Sequence, residues 1–207
     1  MSRAADPLDH AARSLARKHA VVRDLRRAHG KLEFSRPRHS AFVTLSRSIV
    51  GQQLAGAAAQ TIWGRYAALF EGRVTPERTL RIKTADARGA GLSRAKWEAL
   101  SALARAELDG ELRLRGLHRL DDEAVRARLT TVRGIGPWTA DMFLMFHLMR
   151  PDIWPVGDLG VRYGFGLAFG LEEPPTPKQL LALGDPYRPH RSALACYCWR
   201  ALDASRA

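Results

Sequence analysis

Leu129-Thr130-Thr131-Val132-Arg133-Gly134-Ile135-Gly136-Pro137-Trp138-Thr139-Ala140 sets a Gly-Ile-Gly turn between two stretches with helical patterning. Upstream, Asp121-Asp122-Glu123 places three carboxylates in a first helical turn, where the helix dipole favours negative charge; that helix runs to Thr130 or Thr131. Downstream, a helix begins at Pro137, carries the apolar run Met142 to Met149 and ends before Pro151. Glycines in such a turn allow positive φ and let another molecule approach the backbone, and the amides of the following helix start can bind a phosphate. Taken alone, the turn reads equally well as a plain tight connection.

The flanking sequence is helical as well. Leu8, Ala12, Leu15, Val22 and Leu25 recur at helical spacing and predict one amphipathic helix from Leu8 to Ala28, stopped by Gly30. After an interruption at Arg36-Pro37, Ser40 offers an N-cap for a helix carrying Phe42, Leu45 and Ile49, with a break at Gly51. Leu54, Ala58, Ile62, Tyr66 and Leu69 define the next helix, which ends near Gly72. Thr75 to Ala87 reads as a single short helix opened at Thr75-Pro76, Ser93 caps a helix through Leu108, and Gly110 to Leu117 is irregular. Pro174, Pro175 and Pro177 punctuate the chain before a last helix, roughly Pro189 to Ala204. With no sustained alternation and no fixed repeat, the expected fold class is all-α.

Charge points to the partner. The chain of 207 residues holds 33 basic against 21 acidic side chains, a formal +12, which argues for a polyanion and against small acidic substrates. Five of the basic residues are lysine and 28 are arginine, whose planar forks suit phosphate oxygens, although a compositional bias toward Arg and Ala accounts for them equally well. Cys196 and Cys198 are too few for a disulfide framework, an iron–sulfur cluster or a structural zinc, which favours a reducing compartment. The seven histidines show no metal-ligand spacing, so catalytic zinc is not expected. No apolar stretch approaches the roughly 18 residues of a membrane span, and Met1 to His10 is polar, so the expected location is cytoplasmic.

The hairpin stretch, followed by Trp154-Pro155-Val156-Gly157-Asp158, resembles the helix-hairpin-helix DNA glycosylase superfamily, specifically its 3-methyladenine DNA glycosylase II branch. Ile49-Val50-Gly51-Gln52-Gln53, Gly91-Leu92-Ser93 with Lys96, and Tyr187-Arg188-Pro189-His190-Arg191-Ser192 with Trp199 match too, so the likeness covers about residues 40 to 202. It implies two helical lobes with a DNA-binding cleft: one from residues 1–39 and 152–207, the other a central bundle of 40–151 containing the hairpin at about 121–150. It also implies a monomer, associated with the nucleoid, acting on double-stranded DNA that contains alkylated bases.

By the same resemblance Asp158, 22 residues after Gly136, is the catalytic carboxylate. Cutting an N-glycosidic bond builds positive charge on the sugar, and a nearby carboxylate stabilises that charge or activates water. Read from its own context, Asp158 in a Pro-Val-Gly-Asp turn would simply cap a helix from Leu159. Trp138 and Trp199 match the tryptophans lining the base pocket, and Met142, one turn beyond Trp138, is a third candidate; ordinary core packing is the competing reading for each. Gln53 aligns with the wedge that enters the gap left by a flipped nucleotide, a place where leucine is common, so Leu54 shares the assignment; a helix cap is the alternative for Gln52 and Gln53. Arg133, Gly134, Gly136 and Thr139 are the expected DNA contacts, with Arg162 and Arg191 as further cationic candidates. Main-chain carbonyls of Thr130, Val132 and Ile135 match positions that hold a structural monovalent cation, Na or K, in related hairpins, and no other cofactor is expected.

Lysine placement bears on the reaction class. Related enzymes that also cut the strand attack the sugar with a lysine from the position that Trp138 occupies, and no lysine lies between Lys96 and Lys178. The expected activity is therefore a monofunctional glycosylase removing 3-methyladenine- and 7-methylguanine-type purines by base flipping. The competing readings are a non-catalytic module sensing distorted DNA, a bifunctional glycosylase/lyase and, with no RNA-recognition aromatic motif, RNA binding last. Longer members of the branch carry a β-rich extension that this chain is too short and too helical to contain fully.

Overall fold

The computed structural model describes residues 7–33, 39–54, 56–70 and 72–206. Among them are twelve α-helices, two short 3-10 helices and no strand, so the fold is all-α. The chain divides into two compact units, one from Met1–Arg36 with Leu148–Ala207 and one from Pro37–His147. The interruption expected at Arg36-Pro37 lies outside the described residues.

The unit drawn from the two chain ends holds α1 (Pro7–Lys18), α2 (Ala20–His29), α10 (Leu159–Phe169), α11 (Pro177–Leu183) and α12 (Arg191–Ala204). The single helix expected from Leu8 to Ala28 is two. His19 adopts an extended φ of −123° and ψ of 117°, and the chain doubles back there. A continuous helix would hold Asp9 and Arg26 about 25 Å apart, yet they form an ion pair. No glycine or proline marks the break, and burying Leu8, Ala12 and Leu15 together with Val22 and Leu25 is what the reversal achieves.

Helix α12 is the centre of this unit, with every residue from Arg191 to Cys198 buried. Its later turns hold the end of α2: the Tyr197 hydroxyl donates to Gly30 O at 3.1 Å, and Arg200 Nη1 donates to His29 O at 2.8 Å, satisfying carbonyls that a helix end leaves without partners. Helix α10 crosses it closely enough that a Cβ on Gly164 would stand 1.8 Å from Cys198 O. Helix α10 starts at Leu159, as the cap read from the context of Asp158 predicts. The sequence reading did not announce α11, which opens among prolines through a reciprocal cap between Thr176 and Gln179. The last helix starts at Arg191, two residues after the expected Pro189.

The second unit runs from α3 (Ala41–Gly51) and α4 (Gly56–Ala68) through α5 (Pro76–Thr79), α6 (Thr84–Gly89), α7 (Arg94–Leu108) and α8 (Asp122–Thr130) to α9 (Pro137–Phe146). The caps fall where the side chains allow them: Ser40, Ser93 and Asp121 each accept the backbone N–H three residues on. The stretch from Thr75 to Ala87 is two helices rather than one, separated at Leu80–Lys83 by three-residue turns onto Arg78 O and Thr79 O. Helix α9 is buried on nearly all sides, as its composition predicts, but stops at Phe146 instead of continuing through Met149. Met149 adopts a left-handed φ of 57°, which ends helical geometry before Pro151 does. His147 stacks on Phe143 and its Nδ1 meets Thr44 Oγ1 at 3.0 Å, tying the end of α9 to α3; burial lowers its pKa.

The α10–α12 crossing is tested by adding one methyl group. Gly164→Ala should lower the urea-unfolding free energy by about 3 kcal/mol or more, through overpacking against backbone that cannot retreat. Gly64→Ala, in open space on α4, should leave stability unchanged or raise it by up to about 1 kcal/mol.

Candidate functional site

The segment 150–158, which delivers Asp158, is fastened to its own unit along its length. Ser192 Oγ donates to Arg150 O at 2.7 Å and accepts the Ile153 N–H at 2.9 Å. Asp152 takes a two-point grip from Arg191, Nε to Oδ1 at 2.8 Å and Nη2 to Oδ2 at 2.9 Å. The Trp154 indole N–H reaches Leu180 O at 2.8 Å. Arg191 is thus buried and committed to Asp152, so it is not the solvent-facing DNA contact that sequence allowed; Arg162 is half-buried and its Nε donates to Pro175 O at 2.7 Å.

Asp158 has the capping role read from its own context. It is the N-cap of α10, its Oδ1 accepting the Val161 N–H at 2.8 Å, and the same oxygen accepts the Trp199 indole N–H at 2.9 Å. The carboxylate is half-buried and sits at the positive end of an eleven-residue helix. Gly160 provides the room: a Cβ there would stand 2.8 Å from Trp199 Cδ1. Cys198, beside Trp199 in sequence, is fully buried, and burial pushes its thiol pKa up, so it is a packing group rather than a nucleophile.

In the other unit the hairpin turn is built around Gly134. Its φ is +88°, and a Cβ would approach Ala99 Cβ to 2.3 Å, so conformation and space both demand glycine. Gly136 differs from the expectation: it is extended at φ −96° with nothing within 4 Å of an added Cβ, so it leaves open space at the N-cap of α9 instead of a special turn. Arg133 is exposed and pairs with Glu98 at 2.9 Å. Thr130 is exposed, and the side chains of Val132 and Ile135 are buried.

Thr139 requires a correction. Its side chain is 1% exposed and its Oγ1 accepts from Gln52 Nε2 at 3.0 Å, so only its first-turn amide could meet a phosphate. Gln52 Nε2 also donates to Gly134 O at 2.9 Å, and Lys96 Nζ donates to Val50 O at 2.8 Å. Gln52 therefore closes the hairpin onto the end of α3; its place beside Gly51 in the Ile49–Gln53 match was the one available signal. Gln53 follows in a left-handed φ of 56°, exposed, and Leu54 is 36% exposed, so the same turn presents both wedge candidates outward. Trp138 is half-buried on the first turn of α9, and Met142 is buried in the same helix.

Two helices joined through a glycine turn, within a strongly basic chain, define a helix-hairpin-helix protein. The chain belongs to the HhH-GPD superfamily of base excision DNA repair proteins, whose family model matches residues 46–189. It is 33% identical over 159 residues to DNA-3-methyladenine glycosylase 1 of Schizosaccharomyces pombe, covering 75% of this chain and 70% of that one. It is 30% identical over 171 residues to the DNA-3-methyladenine glycosylase of Saccharomyces cerevisiae, covering 78% of this chain and 57% of that one. Among solved structures it is similar to the Schizosaccharomyces pombe 3-methyladenine DNA glycosylase in complex with abasic DNA, with a TM-score of 0.84, 29% identity and coverage of 92% and 95% of the two chains.

The role of Gln52 is open to direct test. Gln52→Ala should cost about 1–3 kcal/mol in urea unfolding and speed amide exchange across residues 130–139. An unchanged exchange pattern would show that the hairpin stands without it.

Proposed function

We propose that the chain is a monofunctional DNA glycosylase that excises alkylated purines, of the 3-methyladenine and 7-methylguanine type, from double-stranded DNA in base excision repair. The observation that carries the reading is the tethered Asp158 carboxylate, mounted on a braced segment and held by the Val161 amide and the Trp199 indole. Likeness to two proteins named DNA-3-methyladenine glycosylases supports the substrate class.

The chemistry follows from charge. The glycosidic bond is inaccessible within a duplex, so the damaged nucleotide must leave the stack first. An alkylated purine is already cationic and departs readily. As the bond lengthens, positive charge passes to the sugar, and a carboxylate fixed in place stabilises it without reorganising. Two donors on Oδ1 lock that orientation. Trp199 adds an indole beside the carboxylate, a face suited to an electron-poor base. The hairpin turn, with Gly134, Gly136, Arg133 and the first-turn amides of α9, would hold the sugar–phosphate backbone. Gln53 or Leu54 would fill the gap left by the flipped nucleotide.

Strand cleavage has no support from the lysines. Lys96 gives its ammonium to Val50 O, and by the resemblance Trp138 takes the position of the Schiff-base lysine of strand-cutting relatives. The carbonyls of Thr130, Val132 and Ile135 are neutral oxygens suited to a monovalent ion; Val132 O accepts the Ile135 N–H at 3.0 Å, and a carbonyl's second lone pair leaves capacity for a cation. Such an ion would stiffen the turn. Among the described residues no group of three or more His, Cys, Asp or Glu could hold a metal, and no helix is long and apolar enough to cross a membrane.

Incubation with duplexes carrying single methylated bases should release free 3-methyladenine and 7-methylguanine, identified by chromatography, while borohydride should trap no protein–DNA adduct. Release of no base from any alkylated duplex, with DNA binding intact, would favour a damage-sensing module instead.

A further inference from the structure

Within the unit Pro37–His147 a second basic feature runs beside the hairpin. Arg88 of α6, Arg94 and Arg105 of α7, and Arg133 of the hairpin line one groove, with Glu98 as its acid and Trp97 in its lining. Four guanidiniums face one carboxylate. Arg94, Glu98 and Arg105 follow one another at four and seven residues, a helical-face spacing, and Arg94 to Arg105 spans about 16 Å of helix axis. At 3.4 Å of rise per nucleotide that is roughly five steps of a duplex. The floor is fixed, since Trp97 is 8% exposed and its indole N–H donates to Thr84 Oγ1 at 3.1 Å.

Glu98 is the informative member. Its Oε1 accepts from Arg94 Nε at 2.8 Å and its Oε2 pairs with Arg133 Nη2 at 2.9 Å, so one carboxylate bridges the hairpin arginine and the groove arginine. Those two guanidiniums hold its pKa below the usual carboxylate range. An oxyanion between two forks is the arrangement a phosphodiester makes with arginines. Arg88 and Arg105 make no ion pair among the described residues.

The geometry points to a second phosphate-binding track: the α6–α7 groove takes the DNA backbone beyond the hairpin, and Glu98 is its internal counterion, occupying Arg94 and Arg133 until a phosphate displaces it. This rests on the glycosylase reading for the identity of the polyanion. A spaced strip of guanidiniums fits a repeating backbone, whereas a small free anion needs donors that converge on one point.

The test uses the intact chain and a duplex containing a stable abasic analogue, with affinity measured between about 50 and 200 mM KCl. Removing two phosphate contacts in an Arg88→Ala/Arg105→Ala double variant should flatten the slope of log K against log salt by about 1.8 and weaken binding roughly tenfold at the low-salt end. The single-turnover rate of base release at saturating protein should stay the same, because neither residue belongs to the reacting site. Glu98→Gln should tighten binding several-fold. A double variant with an unaltered salt slope, or a Glu98→Gln protein that binds more weakly, overturns the proposal. So does pyrophosphate binding to the wild type that the double variant lacks, if duplex affinity is equal in both, for the groove is then a small-anion site. A wild type that binds duplex but releases no base would overturn the glycosylase reading and leave the groove comparison valid.

Discussion

The glycosylase reading of this chain depends on one carboxylate oxygen with two donors. Asp158 Oδ1 receives the Val161 amide, which belongs to its own helix, and the Trp199 indole, which belongs to another. The first bond is an ordinary N-cap. The second is not needed for capping, and it requires a chain of accommodations: no side chain at Gly160, where Trp199 lies, and none at Gly164, where α10 meets the α12 backbone. The Asp152–Arg191 pair and the Ser192 hydroxyl fasten the segment leading into Asp158 to the start of the same α12. One helix thus sets both the approach to the aspartate and its orientation. A cap alone would need none of this.

The hairpin shows the same economy within its own unit. Gly134 packs on α7 where no other residue fits, and Gln52 spans from the end of α3 to the turn and to the first turn of α9. Polar side chains that sequence reading would assign to ligands, Thr139 and Arg191 among them, are consumed in holding the scaffold. The residues left facing outward are Arg133, Gln53 and Leu54, together with the backbone of the turn. Rigid support beneath an exposed turn is what phosphate recognition by main-chain amides requires, since amides cannot move to meet their ligand.

How much could be read in advance differs from element to element, for physical reasons. Helices announced by a hydroxyl cap, at Ser40 and Ser93, or by first-turn carboxylates, at Asp121 to Glu123, start where the sequence places them because those interactions are local. The reversal at His19 has no local signal; tertiary burial drives it and the Asp9–Arg26 pair accompanies it. The glycines of α10 serve close contact with α12, which the sequence pattern does not report. At the site, Asp158 and Trp199 were found by resemblance, and their contact belongs to side chains 41 positions apart, which no spacing rule reports. Gln52 was weighed only as a cap, because a glutamine beside a glycine does not reveal a partner 82 residues away.

The central claim is that the charge on Asp158 carries the reaction, and substitution by asparagine isolates that charge. Asparagine caps helices as well as aspartate does and retains an oxygen for the Trp199 indole, so the fold and the DNA surface should persist. Single-turnover release of 7-methylguanine by Asp158→Asn should fall by about 10²–10³ with affinity for an abasic-analogue duplex unchanged. A rate within a few-fold of the wild type, at unchanged affinity, would contradict the account.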